Sequence, residues 1–339
     1  MAANELANFT TLGVGGPATR IILAKSEEEL ISAVKACDES KEPLLILGGG
    51  SNILVSDNGF VGTVIKVETR GNSFEIDACS GGTLTVSAGT DWDEFVAFTI
   101  EKGLANLESL SGIPGTVGGS PIQNIGAYGH EVSEVIARVR TFDRKNQEVK
   151  TFTASQCEFG YRSSIFKSEA NRYVILDVTF QLRIGEGSLP IGYAELAKEL
   201  GVEIGARVAI PKVREAVLKL RSAKGMLLGQ GIKSAGSFFM NPILDKKIAD
   251  ELPSDAPRWP MSDGRVKTSA AWLMEHAGVS KGDQLAGAQI SPKHVLALSN
   301  AGNATAKDLI ELAKSAQEKV RAKFGITLQT EVQLVGLIL

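Results

Sequence analysis

Residues 111–129 read SGIPGTVGGSPIQNIGAYG, a run with six glycines, two prolines and no charged side chain. Such a run cannot hold a helix, and its prolines exclude the middle of a sheet. So much bare backbone in one place serves either a floppy linker or a partner that approaches the main chain closely. A flexible linker would be rich in Ser or charge. This stretch instead keeps Ile113, Val117, Ile122, Ile125 and Tyr128, which call for burial. Its Gln123 and Asn124 suit the polar edge of an aromatic heterocycle.

A second glycine-rich segment, GGGSN at 48–52, directly follows the apolar, strand-like PLLIL at 43–47. Glycines at a strand end expose consecutive N–H groups, a nest that binds phosphate oxygens without Lys or Arg. An ordinary tight turn is the plain alternative. Two uncharged, glycine-rich surfaces on one domain suit an elongated ligand with a diphosphate and a flat ring, and FAD is such a ligand. The other nucleotide patterns fail. GVGGPA (13–18) fits GxGxxG/A, but no strand precedes it, Pro17 sits inside it and a strand follows it. No GxxxxGK[ST] occurs.

The chain has 339 residues, enough for two or three domains, with 43% apolar and 22% charged side chains. Lys and Arg number 36 against 39 Asp and Glu, so no global field favours nucleic acid or an anionic membrane. Cys37, Cys79 and Cys157 lie far apart, which argues against a disulfide framework or a zinc site and for a reducing compartment. The opening MAANELANFT has neither a basic start nor an apolar core, and no run reaches the length of a membrane helix. The expectation is a cytoplasmic protein without a signal peptide. No heptad or broad apolar stripe stands out, so a monomer is the default.

TRIILA, PLLIL, FVGTVIKV and LTVSAG read as strands, and RVRTFD and EVKTFT as a hairpin around RKNQ. In RYVILDVTFQLR, Val174, Leu176, Val178, Phe180 and Leu182 fall on one face. Ser26 with Glu29 and Asp91 with Glu94 are spaced as helix starts, and Gly103 as a stop. From about residue 190 the texture turns helical, with PKVREAVLKLRSAK, KTSAAWLMEHAG and TAKDLIELAKSAQEKVRAKFG, before TLQTEVQLVGLIL returns to a strand pattern. A β-rich nucleotide-binding half followed by a more helical substrate half is predicted.

GGGSN followed by IPGTVGGSPIQNIGAYG resembles the UDP-N-acetylenolpyruvoylglucosamine reductases, flavoenzymes that complete UDP-N-acetylmuramate in bacterial cell-wall synthesis. The likeness continues through FGYRSSIFK (159–167), AGSFFMNP (235–242) and LQTEVQLVG (328–336), so it covers essentially the whole chain. It implies an α+β chain with a vanillyl-alcohol-oxidase/PCMH-type FAD-binding fold in two lobes, plus a separate α+β substrate-binding domain. The lobes would be 1–66, with the terminal strand 326–339 packing back, and 67–203; the substrate domain would be 204–325. The segment around Tyr193 and the RSAK stretch resemble the longer subclass, in which a loop closes over the substrate.

The resemblance further implies non-covalent FAD on Gly48, Gly49, Gly50, Ser51, Asn52, Ile113, Pro114, Gly115, Gly119, Ser120, Gln123, Asn124, Gly126, Ala127 and Tyr128. NADPH would donate hydride, and the substrate would be a UDP-sugar. Arg162 would hold the substrate carboxylate and the enol formed after hydride addition, as a bidentate guanidinium suits. Glu331 would lie beside it, with a pKa raised by the neighbouring carboxylate. Ser237 would protonate the α-carbon. Tyr161, Tyr193, Arg221, Lys224, Asn241 and His294 match substrate positions. Read as residues alone, Arg162 could be a loop arginine, Glu331 a solvated strand residue, Ser237 a turn serine and the cations of 211–224 a solvated basic face. A related FAD oxidase of a small alcohol or sugar, and a catalytically silent nucleotide-sugar-binding protein, are the alternatives.

Overall fold

Both expected helix starts carry side-chain caps in the computed structural model, which describes residues 4–77 and 81–339. Ser26 Oγ accepts the Glu29 N–H at 3.2 Å ahead of helix Glu27–Ser40. Asp91 Oδ1 accepts the Glu94 N–H at 3.0 Å ahead of helix Trp92–Glu101. Each cap satisfies a donor that the helix leaves orphaned. Glu29 departs from the expected capping box: its carboxylate takes the Lys25 N–H at 2.7 Å, one residue outside the cap. Gly103, at φ +68°, adopts the left-handed conformation that stops the second helix. Helix Ile210–Ala223 carries Pro211 in its first turn, and helix Ala306–Phe324 begins on a reciprocal Thr305–Asp308 box.

Internal contacts group the residues into two units, Ala18–Gly50 with Val61–Leu227, and Met1–Pro17 with Ser51–Phe60 and Leu228–Leu339. The first holds a sheet ordered Ala18–Ala24, Phe60–Val67, Leu44–Leu47, whose last two strands are parallel. A larger antiparallel sheet runs Glu148–Thr153, Ile136–Asp143, Tyr173–Ile184, Gly81–Ser87, Asn72–Asp77, with Leu104–Ala105 beside the end of its central strand. The hairpin around RKNQ closes with Asp143 opposite Glu148. In the central strand the expected face is buried, but so are Tyr173, Ile175, Asp177 and Thr179 on the other. Asp177 is tolerable there because Arg140, which also holds Glu27 at 2.9 Å, pairs with it.

A second buried carboxylate has a sharper consequence. Asp143 has no exposed side-chain surface, and it accepts from Arg172 Nε at 3.1 Å and Nη2 at 3.0 Å. These bonds hold its carboxyl below the usual range, against the upward push of burial. A carboxyl whose pKa falls on folding stabilises the protein above its unfolded pKa of about 3.9, and the contribution fades as pH drops through the folded value. Arg172→Met is expected to cost about 3 kcal/mol near neutral pH, because it strands a buried charge. The cost should shrink in acid. Urea unfolding at neutral and at acid pH checks both statements, and an equal loss at the two would contradict the pairing.

The expected helices of the more helical half form as Ile210–Ala223, Ala270–His276 and Ala306–Phe324, and the second unit adds short-stranded sheets that the sequence did not display. A four-stranded antiparallel sheet runs Lys233–Ser237, Ala297–Asn300, Ala288–Ile290, Gln284–Leu285. A three-stranded one runs Ile243–Leu244, Val266–Thr268, Arg258–Pro260. Helix Ala306–Phe324 buries Leu309, Ile310, Leu312, Ala313, Ala316 and Val320. Of the terminal stretch only Gln333–Val335 is a strand, parallel to Ile53–Val55. Cys37 and Cys157 are buried free thiols, and Cys79 lies outside the described residues. Among those residues no helix is long and apolar enough to cross a membrane.

Candidate active site

In the first unit the two glycine-rich segments meet. A Cβ on Gly49 would fall 2.6 Å from Gly115 Cα, and one on Gly48 would fall 2.8 Å from Thr116 Oγ1. No side chain fits between such backbones, so bare residues on both sides join them into one surface. The loop is fixed from behind: Gly115 O accepts the Trp92 N–H at 3.1 Å, while the Val117 and Gly118 N–H groups donate to Thr90 and Ala88. Gly119 is different. Only Thr116 Oγ1, at 3.9 Å, would stand near its Cβ. A Cβ there makes no close contact with the described residues.

Further along, Asn124 is buried, and its amide donates to Glu131 Oε2 at 2.7 Å and Gly160 O at 3.2 Å. Its Oδ1 accepts the Ser133 N–H at 3.0 Å. The amide expected at a heterocycle edge is therefore directed into the protein. The Ser120 hydroxyl likewise donates inward, to Val117 O at 2.8 Å.

Arg162 adopts φ +52° in a tight turn closed by Gly160 and Ser163. Its guanidinium donates to Gly126 O at 2.9 Å and, more loosely, to Asn124 O at 3.4 Å. The Tyr161 ring lies 5.6 Å from it. A Cβ on Gly126 would come within 3.2 Å of Arg162 Nη1, so the bare residue admits the guanidinium. Lys167 Nζ donates to Arg162 O at 2.9 Å, and Ser164 Oγ to Ile122 O at 2.5 Å. Residues 160–167 and 122–126 are thus stitched together.

Tyr128 meets Tyr193 edge-on, with centroids 5.6 Å apart. Burial pushes the Tyr128 phenol up to about 12 and raises that of Tyr193. The basic face expected on helix Ile210–Ala223 is not wholly solvated. Arg221 Nε donates to Gly112 O at 3.0 Å, and burial pulls its guanidinium below its ordinary pKa. Arg214 clamps Asp93 at 2.6 and 2.9 Å, and Asp93 also takes the Gly112 N–H at 2.6 Å. Burial alone would raise Asp93, but these bonds and the charges of Arg214 and Arg221 hold it low. Lys224 pairs with Glu195 at 2.5 Å. The Asp93–Arg214 fastening was not legible in the sequence, where each side chain reads as one more charge on a helix face.

In the second unit, residues 238–240 and 329–331 pair through their backbones: the Glu331 N–H donates to Phe238 O at 2.8 Å and the Met240 N–H to Gln329 O at 2.9 Å. Glu331 is thereby set beside the end of strand Lys233–Ser237, whose Ser237 stands opposite Ala297. Asn52 Nδ2 donates to Glu331 O at 3.1 Å, which brings the GGGSN loop's last residue to the same edge. His294 lies in the turn before Ala297, accepting that residue's N–H at 3.1 Å through its carbonyl. Asn241 Oδ1 accepts the Ala270 N–H at 2.9 Å, at the start of a helix. His130 pairs with Glu134 and His276 stacks on Trp272, so each has a local partner. Among the described residues no cluster of His, Cys, Asp and Glu could hold a metal ion.

A bare-glycine surface, uncharged and open at position 119, fits a diphosphate-bearing flavin and defines this as an FAD-binding protein. Residues 18–152 match the family described as FAD binding domain, and residues 228–335 match UDP-N-acetylenolpyruvoylglucosamine reductase, C-terminal domain. The reductase of that name from Cutibacterium acnes is 54% identical over 337 residues, covering 98% of this chain and 89% of that protein. That from Thermobifida fusca is 47% identical, covering 98% of this chain and 97% of that one. The crystal structure of the Thermus caldophilus reductase aligns at 26% identity with a TM-score of 0.68, covering 98% and 97% of the two chains. The chain belongs to the UDP-N-acetylenolpyruvoylglucosamine reductase family. Its fold is the vanillyl-alcohol-oxidase type of FAD-binding domain with the reductases' own C-terminal domain.

Proposed function

We propose that this chain reduces the enolpyruvyl group of UDP-N-acetylglucosamine enolpyruvate with NADPH, giving UDP-N-acetylmuramate for peptidoglycan precursor synthesis. The observation that carries this reading is the 54% identity, along 98% of the chain, to a reductase of that name. Bound FAD supplies the hydride chemistry. The protein's own groups bind, orient and move the proton.

Hydride arriving at the β-carbon of an enolpyruvyl ether drives negative charge into the carboxylate. Arg162 meets that charge. Its guanidinium is already aimed by the carbonyls of Gly126 and Asn124, so little reorganisation accompanies the charge shift. Ser237 gives its hydroxyl proton to the α-carbon, a step credible for so weak an acid because the enol is strongly basic. Glu331, in its protonated form, donates a hydrogen bond to the substrate carboxylate. Arg221 and Lys224 serve the UDP diphosphate, with Tyr161, Tyr193, Asn241 and His294 completing the substrate contacts. The functional division stays 1–66, 67–203 and 204–325, in a monomeric, cytoplasmic enzyme.

Product analysis tests the reading: NADPH and the enolpyruvyl substrate should disappear one for one as UDP-N-acetylmuramate accumulates, and unreduced substrate would contradict it. The glycine surface has its own test. Gly119→Val places a Cβ that touches protein only at ordinary contact distance, so the variant should fold with near-normal thermal stability yet purify with little flavin. Full flavin content, read from absorbance per chain, would place the cofactor elsewhere.

A further inference from the structure

We propose that Lys66 supplies the counter-charge for the diphosphate of the bound cofactor, acting from the edge of the glycine triad 48–50. In FVGTVIKV it is the lone charge on an otherwise uncharged strand. Lys66 stands opposite Leu47, the last residue of the neighbouring parallel strand before GGG. It is half-buried, and its ammonium donates to the Gly48 carbonyl. An ammonium carries three donors, and this carbonyl takes one.

Nothing acidic closes the charge. Among the described residues no carboxylate lies within ion-pair distance; Glu68 and Arg70 act on it only through their fields, with opposite signs. Burial makes the charged form costly, which lowers the amine's pKa. A desolvated cation without a partner is retained at a cost unless an anion completes it. The glycine-rich surface supplies the other half of the argument. Residues 44–52 and 111–129 contain no Lys or Arg of their own, so a diphosphate lying on the triad 48–50 meets N–H dipoles and needs its cation from a neighbouring element. Arg221 reaches that surface at Gly112 and Arg162 at Asn124 and Gly126, whereas Lys66 is the cation at the glycine triad, on its first residue.

This inference rests on the FAD reading of the surface, and the experiment keeps the two apart. Full-chain enzyme purified with its flavin is diluted, and the fluorescence of released FAD gives the dissociation constant. Lys66→Met keeps the apolar stem, Lys66→Gln keeps a donor for Gly48 without the charge, and Lys66→Arg keeps the charge. Met and Gln should each weaken FAD by about ten-fold or more, the worth of one charge-assisted hydrogen bond, while Arg stays close to the unaltered enzyme. Unchanged affinity in the Met variant, or full recovery in the Gln variant, would overturn the proposal, since Lys66 would then only tether Gly48. An equal loss in all three variants, Arg included, overturns it too. An unaltered enzyme that neither carries nor takes up FAD would instead remove the reading beneath it.

Discussion

Ser237→Ala is expected to leave flavin reduction by NADPH near its normal rate while slowing reoxidation by the enolpyruvyl substrate about 10²-fold or more. The two halves separate because only the second needs a proton on carbon. Ser237 ends strand Lys233–Ser237, and Glu331 reaches the same edge through the pairing of 238–240 with 329–331. A serine that merely closed a turn would cost about 1 kcal/mol of stability on removal and leave both rates alone. Ser237→Cys should retain more reoxidation than Ala, because a thiol can donate from nearly the same position. Stopped-flow absorbance resolves the halves. Equal slowing of both, or of neither, would remove Ser237 from the chemistry.

Arg162→Lys should show the same asymmetry from another cause. Lysine keeps the charge but loses the planar fork that engages Gly126, Asn124 and a carboxylate together. Losing one pre-aimed donor costs on the order of 10²-fold in rate. Flavin content should stay close to normal, since one ammonium donor can still reach the Gly126 carbonyl. Ordinary turnover in the Lys variant would show that charge alone suffices, or that this residue never meets the substrate.

What the sequence displayed depended on the range of the interaction that fixes each feature. The caps at Ser26 and Asp91 are local, and both were legible in the spacing of single residues. The glycine surface was legible because its requirement is compositional: backbones as close as Gly49 and Gly115 exclude every side chain. The sheets of the second unit escaped. Ile243–Leu244 and Gln284–Leu285 are two residues long, too short to show a period of two. Asn72–Asp77 escaped for the opposite reason, since all six residues are exposed and carry no buried face. Asn124 was read as a ligand contact because an amide looks alike whether it faces a flavin or a carboxylate. Its partners, Glu131 and Ser133 in one following segment and Gly160 in a more distant loop, are not marked as such by the sequence. Lys66 escaped because one lysine in an otherwise uncharged strand reads as a solvent-facing end. Only the adjoining strand reveals the Gly48 carbonyl beside it.

The central claim, that a bound flavin passes reducing equivalents from NADPH to an enolpyruvyl ether, meets its most direct test in one cuvette. The purified full chain should be yellow, with the absorbance of oxidised flavin. Without air, NADPH should bleach it, and UDP-N-acetylglucosamine enolpyruvate should then restore the colour with one product molecule per flavin. A chain that bleaches but regains its colour only when oxygen is admitted would contradict the account.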